Sequence, residues 1–183
     1  MSKLTTVIIA FLLLIGCADK TALSTDIYIT NDTKSRLMPL YNGIEAQVVQ
    51  QKITVNYDNS EHSFIVVLSV SASELTIAML ADFGRLLTAT YNGKTISYEK
   101  SSFVPDSFPL EYMFNDIQLI IYPLEILEKY LPQNIHVEDS MEGSAKMRSL
   151  YNNNKLFALI KYYDNIGEFN NIVRNYSYVI EEI

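Results

Sequence analysis

Apolar and polar residues along this chain follow one of two periods. Val49, Ile53, Val55 and Tyr57 alternate with Gln50, Lys52, Thr54 and Asn56, the two-residue period of a half-buried strand, and Asp58-Asn59-Ser60 turns the chain after it. Phe64, Val66, Leu68 and Val70 form a second alternating set, whose middle is apolar on both faces through Ile65 and Val67. Leu75, Ile77 and Met79 form a third. Residues 81–84 read as a turn, and the strands predicted at 86–91 and 95–100 flank Asn92-Gly93, the strongest short-range hairpin signal. No helical stretch separates these strands, so they are predicted to pair as an antiparallel meander rather than through parallel crossovers.

From Leu110 the period lengthens. Leu110, Met113, Phe114, Ile117, Ile120, Ile121, Leu124, Leu127 and Leu131 recur at three and four residues, with Glu111, Asn115, Gln118, Glu125, Glu128 and Lys129 between them. This is the signature of an amphipathic helix. Pro109 suits its first turn, and Pro123 predicts a kink or a split. Strands resume at 135–138, 144–151, 155–162, 169–174 and 176–181, with Asn152-Asn153-Asn154 as a tight turn. Strands, then a helix, then strands is an α+β order.

The first 16 residues belong to neither pattern. Lys3 is their one charge, 7–15 are apolar, and Gly16 and Cys17 follow, which is the layout of a secretory signal. The run falls short of the ~20 apolar residues of a membrane span. Leu14-Ile15-Gly16-Cys17 resembles the bacterial lipobox, which implies that Cys17 receives acyl chains and becomes the N-terminus. Two or more chains give stable anchoring. Ala18, rather than Asp, after the cysteine implies the outer membrane, although Asp19 bears on sorting in other systems. Residues 1–16 are thus expected to be a cleaved leader, 17–35 a lipidated tether of about 25 Å reach, and 36–183 a single domain facing the periplasm.

The net charge of −7 becomes one unit more negative without Lys3, and no basic block is present. That argues against nucleic acid and against electrostatic binding to anionic lipid, so membrane association is expected through the acyl chains. A single cysteine precludes an intramolecular disulfide. The only histidines, His62 and His136, lack metal-ligand spacing, and Gly-x-Ser-x-Gly, phosphate-loop and dinucleotide motifs are absent. The expectation is therefore a non-enzyme without metal or cofactor. Glu125 and Glu128 read as a solvated helix face beside Lys129. The candidate site is apolar: Met113, Phe114, Ile117, Ile120 and Ile121 of the helix facing Phe64, Val66, Leu68 and Met79 of the sheet, either as a ligand site or as ordinary core. Asp116 and Gln118 are candidates for its rim, or for hydrogen bonds to a neighbouring loop.

Three segments carry a wider resemblance: residues 83–93 (FGRLLTATYNG), 116–125 (DIQLIIYPLE) and 170–181. From Ser63 to the C-terminus the chain resembles an uncharacterised family of Gram-negative lipoproteins, domain of unknown function 3261, with Tyr122 where members often carry Trp. Members occur beside gene clusters for aryl-polyene or related lipids, which implies a role with envelope lipids. The architecture resembles the lipoprotein carrier and insertase LolA and LolB, implying an incompletely closed antiparallel β-barrel, a half-barrel, wrapped over a kinked amphipathic helix. The implied function is non-catalytic binding or transfer of a hydrophobic acyl cargo: a lipid, an acylated protein or a polyene-type product. The alternative is an accessory or scaffold lipoprotein of an envelope complex with a solid interior. A hydrolase or transferase lacks a nucleophile–base pair.

Overall fold

The alternating stretches form strands in the computed structural model, which describes residues 21–183. Three short strands, β1 Thr21–Leu23, β2 Asp26–Tyr28 and β3 Lys34–Arg36, precede β4 Gln47–Tyr57, β5 Ser60–Val70, β6 Leu75–Ala81, β7 Gly84–Tyr91 and β8 Ile96–Lys100. Helices α1 Leu110–Ile121 and α2 Leu124–Tyr130 follow. The chain then returns to strands in β9 Ile135–Glu142, β10 Ala145–Asn152, β11 Lys155–Tyr163, β12 Ile166–Asn171 and β13 Tyr176–Glu182. The fold is a sheet-rich α+β arrangement, as the order of periods predicts.

Eleven strands make one sheet in the order β1-β8-β7-β6-β5-β4-β13-β12-β11-β10-β9, while β2 and β3 pair as a separate hairpin. The ladder is antiparallel throughout, and its two outer strands, β1 and β9, do not meet. The barrel is not closed. Two turns need no glycine: Asp58 and Asn59, and Asn153 and Asn154, hold φ between 48° and 64°, the paired left-handed conformation that matches the twist of a two-residue hairpin. Asn92-Gly93 joins a hairpin too, but across four residues between Tyr91 and Ile96. The Asn92 side chain closes that loop by accepting from the Lys94 and Thr95 N–H groups at 3.0 and 2.9 Å.

Register carries one face of the sheet through every strand. Ile53 pairs with Phe64 on one side and with Ile180 on the other, and Ile180 with Gly167, so the inward positions of both halves belong to the same surface. That surface holds two apolar clusters. One gathers Val66, Leu68, Leu75, Ile77, Leu87 and Tyr91 with Leu110 and Phe114 of α1. The other gathers Val137, Leu150, Phe157, Ile160 and Phe169 with Leu119 of α1 and Leu127 of α2. Helix α1 contributes to both.

The tether expected over 18–35 is corrected by the structure from residue 21 onward. Its Ile27 and Ile29 are buried, one in each cluster, and β1 pairs with β8. An apolar triplet in a polar stretch gives too short a period to read from sequence. Beyond it, Met38 is clamped to α1: its N–H donates to Gln118 Oε1 at 3.0 Å and its carbonyl accepts from Gln118 Nε2 at 2.6 Å. The Tyr91 hydroxyl donates to the same carbonyl at 3.0 Å, and the Tyr122 hydroxyl to Pro39 O at 3.1 Å. Residues 1–20, including the expected leader and Cys17, lie outside the described residues.

Pro123 splits the helix, as its missing N–H requires. Tyr122 leaves the helix in an extended conformation, which strands the last carbonyls of α1 in a buried place. Arg148 from β10 meets them. Its Nη1 donates to Leu119 O and Tyr122 O, each at 2.8 Å, while Nε and Nη2 grip Asp139 at 2.7 and 2.9 Å. The guanidinium is buried and opposes the negative end of the helix dipole. Replacing it orphans two buried carbonyls and deprives the partly exposed Asp139 of its partner. Arg148→Ala is expected to destabilise the fold by roughly 3 kcal/mol in urea unfolding, whereas Lys146→Ala, an exposed neighbour, is expected to leave the midpoint nearly unchanged.

Candidate functional site

Helix α1 presents two apolar sides of different character. Leu110, Phe114 and Leu119 are fully packed, whereas Met113, Ile117, Ile120 and Ile121 are only half-buried. Those four recur at three and four residues and therefore form a stripe along the helix. The centre of the sheet is half-buried in the same way. Ile53 and Val55 of β4, Phe64 of β5, and Tyr178 and Ile180 of β13 keep part of their surface in water, although they sit on the inward face. Between two solid clusters there is thus a seam, apolar on both walls and incompletely closed.

The predicted apolar residues divide across this boundary. Val66, Leu68, Met79 and Phe114 belong to the closed first cluster, and Phe64, Met113 and Ile117 pack against its edge. Ile121 packs against both clusters and Ile120 against the second. The first four are core, as the ordinary reading of the pattern had it. At one end of the seam a cleft of about 220 Å³ opens, lined by Ile120, Ile160, Tyr162, Gly167 and Ile180 among others. A second cleft of about 170 Å³ lies elsewhere, between Leu23, Leu87, Tyr98 and the loop before α1. Both fall below the ~300–1,000 Å³ of a preformed small-molecule pocket.

Asp116 and Gln118 are not rim residues. Both are buried, and the Gln118 amide is spent on Met38. Asp116 points to β13, where the Tyr176 hydroxyl donates to Oδ2 at 2.5 Å, and Asn115 Nδ2 donates to Oδ1 at 3.3 Å. Burial raises the Asp116 carboxyl from its ordinary 3.8 to about 7, opposed by the hydrogen bonds from Tyr176, Asn115 and Tyr178 and by the charge of Arg174. Burial and the neighbouring Asp116 in turn push both tyrosines upward. Tyr176, Tyr178 and Phe169 stack with near-parallel rings, the closest pair 4.8 Å between centroids. Sequence reasoning missed this group, although the Tyr-x-Tyr-x-Ile alternation of 176–180 marks a strand with one aromatic side.

The histidines are separate and exposed. His136 pairs with Glu138 at 3.1 Å, and His62 lies beside the Phe64 ring. Among the described residues no three His, Cys, Asp or Glu side chains gather as a metal site, and no helix is long and apolar enough to cross a membrane.

Comparison with known proteins places these features in a family. The pattern of a protein family of unknown function, DUF3261, matches residues 48–183. The chain belongs to the DUF3261 family. No curated protein matches it. The matched stretch contains β4 to β13 and both helices, and with them every wall of the seam, whereas β1 to β3 precede it.

The Asp116 group gives this DUF3261 protein a pH dependence with a definite sign. The folded carboxyl titrates above its unfolded value, so the unfolded chain loses its proton first and stability falls as pH rises from about 4 to about 7. Above that range the carboxylate sits buried and charged. Asp116→Asn keeps an acceptor for Tyr176 and removes the titration. The variant is expected to melt at a higher temperature than the parent at pH 8 and to lose that advantage by pH 5 in thermal unfolding followed by circular dichroism. An equal difference at both pH values would show that Asp116 does not titrate in this range.

Proposed function

We propose that this protein is an outer-membrane-anchored lipoprotein of LolA/LolB-like half-barrel form that holds a hydrophobic acyl chain in the seam between α1 and the middle strands of its sheet, without chemistry. The observation that carries the reading is the half-buried stripe of Met113, Ile117, Ile120 and Ile121 opposite half-buried Ile53, Phe64 and Ile180. Apolar surface left in water on two facing walls is relieved by an apolar guest, at about 0.8 kcal/mol for each methylene fully removed from water. Methionine and isoleucine also suit an unspecialised chain, having shape to adapt and no polar atom to satisfy. The small clefts mean that the guest enters at one end and widens the seam as it loads.

A scaffold role is the second reading. It is favoured by the closed first cluster and by Phe83 and Phe103, which are 70 % and 73 % exposed and touch each other with ring centroids 5.2 Å apart. An exposed aromatic pair suits a protein partner.

Two experiments test the proposal. Lipid extracted from the protein purified from its native host is expected to contain a bound acyl species by mass spectrometry, and a fluorescent fatty-chain probe is expected to bind and be displaced. Ile117→Asp and Met113→Asp, on the half-exposed stripe, should weaken probe binding at least tenfold while the circular dichroism spectrum stays that of the parent. Absence of any bound lipid together with no probe binding by the parent leaves the scaffold reading in place. For the anchor, Cys17→Ala is expected to move the protein from the membrane fraction to the soluble fraction, and retention in the membrane would sink the lipidation.

A further inference from the structure

We infer that the cleft at the end of the seam receives the polar end of the cargo, and that this end is uncharged or cationic rather than a free carboxylate or phosphate. The inference rests on the acyl-binding reading and narrows it to a class of chain.

Gly167 lines the cleft. It lies on the inward face of β12, opposite Ile180, and its backbone does not hold a positive φ, so the conformation does not demand glycine. A Cβ built there meets Ile180 at 3.8 Å, an ordinary contact. The missing side chain leaves space, and that space adjoins Ile120, Ile160 and Ile180. An apolar floor continuous with the stripe of α1 is what a chain needs as it leaves the seam.

The charged side chains that line this mouth are acidic: Asp164, Glu168 and Glu182. Glu168 is paired in register with Lys161 on the outward face of the sheet, so Asp164 and Glu182 are the two whose charge bears on the mouth. Its uncharged polar contributors are the amides of Gln51 and Asn165 and the hydroxyls of Tyr162 and Tyr163. Lys161 is on the opposite face of β11 and is held by Glu142 at 2.6 Å. Asp164 and Glu182 are exposed, so their field reaches through water and is screened by salt within a Debye length. An anionic head at this position meets like charge with no cationic side chain in the lining to offset it, whereas an ammonium or an amide meets acceptors.

The test uses residues 17–183 with Cys17→Ala, a chain that contains every described residue. It compares dodecyltrimethylammonium with dodecanoate, each below its micelle concentration, as competitors of a neutral fluorescent alkyl probe. The ammonium is expected to displace the probe at concentrations at least tenfold lower than the carboxylate in about 10 mM salt, with the difference shrinking as salt rises toward about 1 M. Asp164→Asn combined with Glu182→Gln, both at the surface, should erase the preference without changing the melting temperature. Gly167→Leu should fill the cleft and weaken both competitors tenfold or more, while Gly167→Ala has a smaller effect. Equal or tighter binding of dodecanoate overturns the inference and leaves the acyl-binding reading standing. Binding unaffected by Gly167→Leu also overturns it, since the chain then lies elsewhere. If neither competitor nor the probe binds, the acyl-binding reading falls and the inference with it.

Discussion

The structure is governed by a mismatch of length. An α-helix rises about 1.5 Å per residue, so the 12 residues of α1 span roughly 18 Å. Strands lie about 4.8 Å apart, and the strands between β7 and β10 in the sheet order would place those two roughly 34 Å apart if the sheet were flat. Yet Phe114 of α1 meets Tyr91 of β7, with ring centroids 5.9 Å apart, and the end of the same helix is capped by Arg148 of β10. A helix this short touches both strands because the sheet bends toward it. The bend is the way an open sheet with one helix to lean on removes its inward face from water.

The same mismatch explains where burial is incomplete. The ends of α1 are committed to the two clusters, and α2 and the segment around Met38 extend the cover outward. The middle strands, β4 and β13, face the flank of the helix and receive partial cover. Polar contacts hold the helix at that distance. Asp116 on β13, Gln118 on Met38 and Arg148 on the terminal carbonyls each fix a different side of α1, and such directional ties set position more sharply than apolar contacts, which are non-directional. The seam is therefore framed by hydrogen bonds, and its walls have no need to touch for the fold to hold.

Most strands and the split helix were legible because their periods are long and clean, whereas the strand read at 169–174 lies at Ile166–Asn171 and residues 172–175 form the turn after it. Pro123 announced the break, and the observed helix ends there. What was not legible came from contacts between distant residues. Nothing in Ile27-Tyr28-Ile29 told a strap from a tether, since burial there depends on α1 lying beneath it. Asp116 and Gln118 read as candidates for a rim or for hydrogen bonds to a neighbouring loop, and each meets a partner 60 or more residues away. Most of the candidate apolar set shares the first cluster or its edge. The pattern could not separate Val66 and Phe114, which are closed, from Ile117 and Phe64, which are half-open, because hydrophobicity is the same on both sides of that line. Arg148 was invisible for a related reason: its role is defined by carbonyls that a proline elsewhere leaves unpaired.

Half-burial also bears on the affinity that such a seam can have. A chain enclosed on all sides gains about 0.8 kcal/mol per methylene, whereas one lying between two incompletely closed walls keeps part of its surface wet and gains a fraction of that. Widening the seam further costs apolar contacts between α1 and the cluster edges, and this cost is subtracted from the gain. Binding of an acyl chain on these terms is weaker than its burial in a bilayer or in a closed pocket. A protein that holds its cargo in this way gives it up to any fully apolar destination without needing another source of energy. A sealed interior would hold more tightly and release more slowly, so under the proposed acyl-binding role an open sheet with incomplete helical cover suits passage of a hydrophobic chain better than its storage.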